Sequence, residues 1–321
     1  MTRTDAIQTD TARTDTRTGV FEAHRPRLMR IAYRMLGSQS EAEDVVQDAW
    51  LRWVAADRVG IANPYAFLAR IVARLCLDQM KSARARRESY VGTWLPEPMI
   101  ETGEDGVDED DLTLALMIAL ERLSPLERAA FLLHDVFGLS LGEVAHTLDR
   151  EAATVRQLAV RARRNVQSAR PRFPVSREDG EHIARAFFDA STSGNIAALR
   201  TMLAKNVSLH SDGGGKVRAF VNPILGPERL LRLFEGVWRK WGGEPATLLG
   251  SVWIDGLPGY ISREQGGVLQ TTALAIENGR VQAVYVTRNP DKLRHIAGMV
   301  AQPPSSRYQH EAGPQFSSTT A

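Results

Sequence analysis

Between residues 21 and 87 the apolar positions recur every three or four residues. In FEAHRPRLMRIAYRML they place Leu28, Ile31, Ala32 and Met35 on one stripe, and Gly37 ends the run, which predicts a helix. The next stretch, SEAEDVVQDAWLRWV, sets Val45, Val46, Trp50 and Leu51 inward and Glu41, Asp44, Gln47 and Asp48 outward, with Ser40 and Glu43 at capping-box spacing. After the breaker RVGIANP a third, longer helix, YAFLARIVARLCLDQMKSARARR, starts apolar and ends strongly basic. From Leu112 to about Arg172 the helical period returns. SPLERAAFLLHDVFG reads as one helix capped by Ser124, with Pro125 in its first turn and Gly138 at its end. Ser140 and Glu143 then form another capping box, a short helix runs to about Leu148, and a second begins near Glu151. Two short helices with so tight a joint predict a helix-turn-helix.

From about Ser176 the period changes. Helical stretches (EDGEHIARAFFDAST, NIAALRTML, PERLLRLFEGVWRKW) alternate with strand-like ones: NVSLHS, KVRAFV, ATLLGSVWI, GYISRE and VLQTTALAIENGRVQAVYVTRN, the last holding an Asn-Gly hairpin turn. The pattern therefore predicts a multidomain chain: a helical domain over 21–88, a linker over 89–111, an all-α helix-turn-helix domain over 112–173, and an α+β domain over 176–297. Residues 1–20 and 302–321 are polar and nearly free of large apolar side chains, which predicts disordered tails.

Composition and charge sharpen this picture. No apolar run approaches the roughly 18 to 20 residues of a membrane span, and no signal segment opens the chain, which places the protein in the cytoplasm. Cys76 is the single cysteine, so an internal disulfide and a cysteine-based zinc cluster are excluded. The formal net charge is only +2, yet it is unevenly spread. Basic residues gather in 81–87 and 156–172, and 101–111 is almost wholly acidic, which predicts two phosphate-attracting faces with a spacer of opposite sign. In a helix-turn-helix the second helix enters the major groove. Arg156 and Gln157 are then the base readers, with Arg161 one turn on, and Thr154, Arg163 and Arg164 face phosphates.

The stretches HDVFGLSLGEVAHTLDREAATVRQLAVRARRNV and GSQSEAEDVVQDAWLRW…NPYAFLARIVARLCLDQMKSARARR resemble, in the family's order, the two modules of extracytoplasmic-function (ECF) sigma factors of bacterial RNA polymerase. The resemblance implies promoter DNA and core RNA polymerase as partners, no cofactor and no metal. It assigns polymerase docking to Asp44, Gln47, Asp48 and Arg52. Reading of the melted downstream promoter element falls to Arg70, Arg74, Lys81, Arg84, Arg86 and Arg87, and the helix-turn-helix takes the upstream element as duplex. Arg74 stands where many members carry Asn, Asp149 where Gly is common, and Glu151 where Ser or Thr usually caps the helix.

The third segment resembles the SnoaL-like (NTF2-like) cone fold. Three stretches look like signatures of the sigma-factor subgroup that carries such an extension: Trp94, Leu95, Pro96, Glu97 and Pro98 (WLPEP); Asp212, Gly213, Gly214, Gly215 and Lys216 (DGGGK); and Asn289, Pro290, Asp291, Lys292 and Leu293 (NPDKL). DGGGK lacks the glycine and the hydroxyl residue a P-loop needs, since His210 and Val217 hold those places. It reads instead as a tight turn between VSLHS and KVRAF. Two prolines hold WLPEP extended, which lowers the entropy lost on docking. The expectation is that Trp94 and Leu95 anchor on the extension near DGGGK or NPDKL and clamp the two DNA-binding modules in one arrangement. Two other functions stay open. One is a helix-turn-helix regulator whose C-terminal domain senses a small-molecule ligand. The other is a SnoaL-like isomerase or hydrolase fused to a DNA-binding module, with His210, Asp212, Asp255 and Glu264 as candidates by residue type only.

Overall fold

The structure, a computed structural model, describes residues 3–56, 61, 63–88, 90–101, 114–166, 175–241 and 246–301; the side chains of 3–16, 81–88 and 241 lie outside that description. The tail 302–321 and all but the first residue of the acidic run 101–111 fall outside it as well.

Helix α1 (Arg3–Leu36) buries Leu28, Ile31, Ala32 and Met35 completely, the stripe that the spacing predicts. It ends where Gly37 takes a φ of +70° and its N–H turns back to the Tyr33 carbonyl, a left-handed cap that glycine adopts without strain. It begins at Arg3, within the stretch whose composition predicts a disordered tail. Once a helix is docked, each further residue adds a hydrogen bond without new nucleation. The docking is visible: the Trp53 indole donates to the Arg17 carbonyl at 3.1 Å, and the Arg17 guanidinium donates to the Val54 carbonyl at 2.7 Å.

Helix α2 (Gln39–Ala55) follows at once. The Ser40–Glu43 capping box is not formed; Ser38 is the cap, extended and accepting from the Glu41 N–H at 3.3 Å. Ala42, Val45, Val46, Ala49 and Trp53 make the buried stripe, so Leu51, expected inside, is 59% exposed and Trp50 is half-buried. Helix α3 (Pro64–Glu88) is capped by the Asn63 side chain, which accepts from the Ala66 N–H.

The second helical group is α4 (Leu114–Leu120), α5 (Pro125–Phe131), α6 (Leu141–Leu148) and α7 (Ala152–Val166). The capping boxes of Ser124 with Glu127 and Ser140 with Glu143 both form. The helix after Ser124 is not uniform: it widens into a π-turn over Leu132–Val136. At the joint of α6 and α7, Asp149 has a φ of +52°, which explains why glycine suits this position. The two helical groups share one continuous core, in which α3 packs on both α5 and α6.

The remaining residues build an α+β lobe. Helices α8 (Arg177–Ser193), α9 (Ile196–Met202) and α10 (Pro227–Trp241) cover one face of a six-stranded sheet. Its strands are β1 (Leu203–Asp212), β2 (Ile224–Leu225), β3 (Thr247–Ile254), β4 (Leu257–Arg263), β5 (Leu269–Glu277) and β6 (Arg280–Thr287), in the order β2-β1-β6-β5-β4-β3. The β1–β6 pair is parallel and the others are antiparallel. Asn278 and Gly279, both at positive φ, make the expected turn between β5 and β6. A last helix, α11 (Arg294–Ala301), was not foreseen by the apolar period.

Alternation along the strands gives the sheet two apolar faces. Val207, Leu209, Tyr260, Leu274 and Val284 pack with Phe187 and Leu230 under the helices. Ala273, Ala283 and Tyr285 on the other face meet Leu95 from the linker and Leu114 from α4. One expected strand is absent: KVRAFV is irregular. Its backbone serves the linker instead, with the Thr93 hydroxyl donating to the Val221 carbonyl and Gly92 lying against Val221.

Candidate interdomain lock and nucleic-acid faces

The three short motifs of the linker and lobe converge on one buried ion pair. Asp212, at the end of β1, is wholly buried and 2.8 Å from Lys292 Nζ, itself buried in the turn between β6 and α11. Oδ2 of Asp212 also accepts from the Leu95 N–H at 2.9 Å, and the ammonium of Lys292 donates to the Leu95 carbonyl. Leu95 is thus held at its N–H and at its carbonyl by opposite charges. Charge-assisted bonds are the strong class of hydrogen bond. Oδ1 accepts from the Gly214 N–H and from the Tyr90 hydroxyl, which in turn accepts from the Asn289 amide at 2.8 Å. Burial, then the bond to Asp212, pushes the Tyr90 hydroxyl above the usual phenol range, so it stays a donor. The Lys292 ammonium lies 4.2 Å from the Trp94 ring centroid and 5.0 Å from that of Tyr90.

This packing accounts for more than one glycine in DGGGK. A Cβ at Gly213 would lie 2.1 Å from the Val217 carbonyl oxygen, and one at Gly214, whose φ is +61°, would lie 2.3 Å from the Asn289 amide. Lys216 and Asp291 close the outer rim with an ion pair, and Leu293 buries itself beside Ile261 and Ile296.

The linker reaches the N-terminal helices as well. The Trp94 ring covers Gly37, where a Cβ would come within 2.5 Å of it. Leu95 and Pro96 are buried, and the Pro98 carbonyl accepts from His295 Nε2. Glu97 caps α2 from outside: one oxygen accepts from the Ser38 hydroxyl at 2.9 Å and the other from the Gln39 N–H at 2.7 Å. Here lies the reason for the displaced cap, since the carboxylate expected from Glu43 comes from the linker. A negative group at a helix N-terminus is favourable. In the same contact with the N-terminal helices, Asp255 in the β3–β4 turn faces Tyr33 of α1 at 2.7 Å.

The polymerase-docking and nucleic-acid candidates fall into three groups. Asp44, Gln47, Asp48 and Arg52 are exposed along one face of α2, with Leu51 among them. On α7, Thr154, Arg156, Gln157 and Arg164 are exposed, whereas Arg161 is paired with Glu127 at 3.2 Å and Arg163 with Asp135 at 2.5 Å. On α3, Arg74 donates to the Thr147 carbonyl at 3.1 Å and the His146 carbonyl at 3.3 Å, and Arg70 touches the His146 ring. The side chains of Lys81, Arg84, Arg86 and Arg87 are outside the described residues.

Comparison with known proteins fits this arrangement. Residues 20–86 match the family description Sigma-70 region 2, and residues 113–166 match Sigma-70, region 4. The chain is 37% identical over 289 residues to the ECF RNA polymerase sigma factor SigJ of Mycobacterium tuberculosis, a match covering 85% of this chain and 91% of that protein. The chain belongs to the extracytoplasmic-function sigma factor family. The probable sigma factor SigI of the same species is 35% identical, over 85% of this chain and 93% of its own. The crystal structure of SigJ superposes with a TM-score of 0.70 at 34% identity, covering 86% of this chain and 98% of that one. This sigma factor therefore consists of region 2 and region 4 helical modules followed by a SnoaL-like α+β domain.

Sequence reading of the sigma factor missed Arg128. Its side chain on α5 is buried and donates to the Leu120 carbonyl at 2.7 and 2.9 Å, to the Met35 carbonyl at 2.8 Å and to Glu121 at 2.7 Å. It thereby ties region 4 to the end of α1 in region 2. Nothing in LERAAF marks that arginine as one that will be buried. No helix among the described residues is long and apolar enough to cross a membrane.

Proposed function

We propose that the SnoaL-like domain and the linker hold this sigma factor in a closed form in which regions 2 and 4 are packed on each other, and that core polymerase engages it by displacing that hold. The observation that carries the reading is the Asp212–Lys292 pair gripping the backbone N–H and carbonyl of Leu95. Because Trp94 spans Gly37 and Lys292, the grip reaches region 2 directly. In this form Arg70 and Arg74 are turned to the end of α6 rather than toward a DNA strand. Once released, these two with Lys81, Arg84, Arg86 and Arg87 read the melted downstream element. Arg156 and Gln157 read the upstream duplex, with Thr154, Arg161, Arg163 and Arg164 around them, and the α2 face of Asp44, Gln47, Asp48 and Arg52 docks on polymerase, in the cytoplasm.

Run-off transcription with purified core polymerase and the full-length chain tests the reading, alongside Trp94→Ala. The variant should give more promoter-specific product and a larger radius of gyration in solution scattering. An unchanged shape and unchanged yield would refute the closed form.

A second role is favoured by one observation. Under α8 and α10 lies a cavity of about 90 Å³, lined by Phe187, Phe188, Phe234, Trp238 and Tyr260. Glu264, held by the Ser262 hydroxyl at 2.7 Å, is the carboxylate in its lining, together with Gln270 and Thr272. This cavity suits a small apolar ligand with one polar end, whose binding would shift the balance of closed and open forms. Of the acid–base candidates, Asp212 and Asp255 sit at the linker contacts and His210 stacks on Tyr285 on the other face of the sheet. That separation disfavours catalysis in the cone.

A further inference from the structure

We propose that Asp255 is a proton-binding site, neutral in the closed sigma factor, and that loss of its proton loosens the contact between the SnoaL-like domain and region 2. The inference goes beyond the ion-pair lock and rests on the reading that the two parts separate. Its basis is a count of protons. The Tyr33 hydroxyl lies 2.6 Å from the Glu97 carbonyl oxygen and 2.7 Å from Asp255 Oδ1. A tyrosine hydroxyl has one proton, and a carbonyl oxygen can only accept. If that proton goes to Glu97, the contact with Asp255 is attractive only when the carboxyl donates. Oδ2 is occupied as an acceptor by the Met99 N–H at 3.2 Å, which leaves Oδ1 to carry the proton. A neutral acid satisfies all three contacts. An ionised one sets two acceptors face to face in a buried site.

The surroundings agree. The backbone of Asp255 is fixed on both sides, by its own N–H to the Met99 carbonyl and by its carbonyl to the Leu114 N–H, so the carboxyl has little room to turn away. From α1 it faces Tyr33 and Arg34, whose guanidinium lies over the Phe137 ring. From the linker it faces Glu97, whose carboxylate is turned to α2, and Glu101, which bonds the Gly256 N–H and pairs with Arg177 of α8. Helix α4 adds only apolar side chains. Burial pushes the Asp255 carboxyl up to about 7; a proton turned to it from Tyr33 would oppose this, the Met99 N–H opposes it, Glu101 adds to it and Arg34 opposes it.

The sign follows from linkage. When the domain is released, Asp255 meets water and returns toward the ordinary carboxylate value of about 4. Closing therefore takes up a proton between the two values, so closure strengthens as pH falls below about 7 and is flat above it. The ratio of closed to open chain should rise about tenfold from pH 8 to pH 6.

The test uses the full chain. Hydrogen exchange at the Leu95 amide, bonded to Asp212 and not to Asp255, reports opening even when the open form is rare. Asp255→Asn keeps a donor for Tyr33 and an acceptor for Met99, and comparing it with wild type at each pH cancels the intrinsic pH effect on exchange. Protection in wild type relative to the variant should fall about tenfold from pH 6 to pH 8. Infrared spectra of the wild type should show a protonated carboxyl band that titrates near neutrality, and this readout needs no variant to fold. A pH-independent protection ratio, or no such band at pH 6, overturns the proposal. If Lys292→Met exposes the Leu95 amide while the ratio stays flat, the lock stands and the proton site fails; if Lys292→Met changes nothing, the lock reading itself has failed.

Discussion

Asp212 and Asp255 are both buried, and both accept a linker N–H, from Leu95 at 2.9 Å and from Met99 at 3.2 Å. They differ in what compensates the carboxyl. Asp212 has the Lys292 ammonium at 2.8 Å, two N–H donors and the Tyr90 hydroxyl. Asp255 has one tyrosine hydroxyl, whose single proton it shares with the Glu97 carbonyl, and one N–H. A buried charge with a full set of partners is stable in its ionised form but costly to strip of one. A buried carboxyl without such a set adjusts by taking a proton. The same linker is therefore held at one end by a fixed charge pair and at the other by a group that responds to its surroundings.

The largest effect should come from breaking the fixed end. Lys292→Met removes the cation and leaves Asp212 buried and uncompensated, so linker docking should weaken by about 3–5 kcal/mol. Denaturant unfolding followed at the lobe, and exchange at the Leu95 amide, measure it. Adding Asp212→Asn should recover part of the loss, because the two sites are coupled and not additive. Tyr33→Phe is the corresponding cut at the other end. It strips a donor from the Glu97 carbonyl and the partner from Asp255, and should cost about 1–3 kcal/mol by the same measurements. Should the two losses be equal, the contrast between the ends fails.

The parts of this molecule governed by local period were legible. Leu28, Ile31, Ala32 and Met35 are three or four residues apart, and a helix buries such a set whatever it packs on. The capping boxes at Ser124 and Ser140 are equally local. The meeting of WLPEP with DGGGK and NPDKL came from the resemblance of the three stretches to known signatures, because nothing in their spacing brings residues 95, 212 and 292 together. Failures share a cause. The cap of α2 was misplaced because its carboxylate, Glu97, lies 58 residues downstream of Gln39. KVRAFV alternates like a strand, yet it borders the linker and not a neighbouring strand. Arg128 and the Tyr33–Asp255 contact, the latter spanning 222 positions, depend on tertiary packing that no single stretch encodes.

Glu97 offers the finest cut between the two ends of the linker, since its carboxylate faces α2 while its carbonyl faces Tyr33. Glu97→Gln leaves the backbone carbonyl, and hence the Asp255 site, in place. It removes the negative charge at the start of α2 and one of the two side-chain acceptors, so it should cost about 0.5–1 kcal/mol. Because that loss is electrostatic and partly exposed, added salt should shrink the difference from wild type. Exchange at the Gln39 amide should quicken by a few-fold, while the pH dependence of Leu95 protection should keep the wild-type slope. A changed slope would mean that the Glu97 charge, and not the proton on Asp255, sets the response, and the two ends would then be a single electrostatic unit.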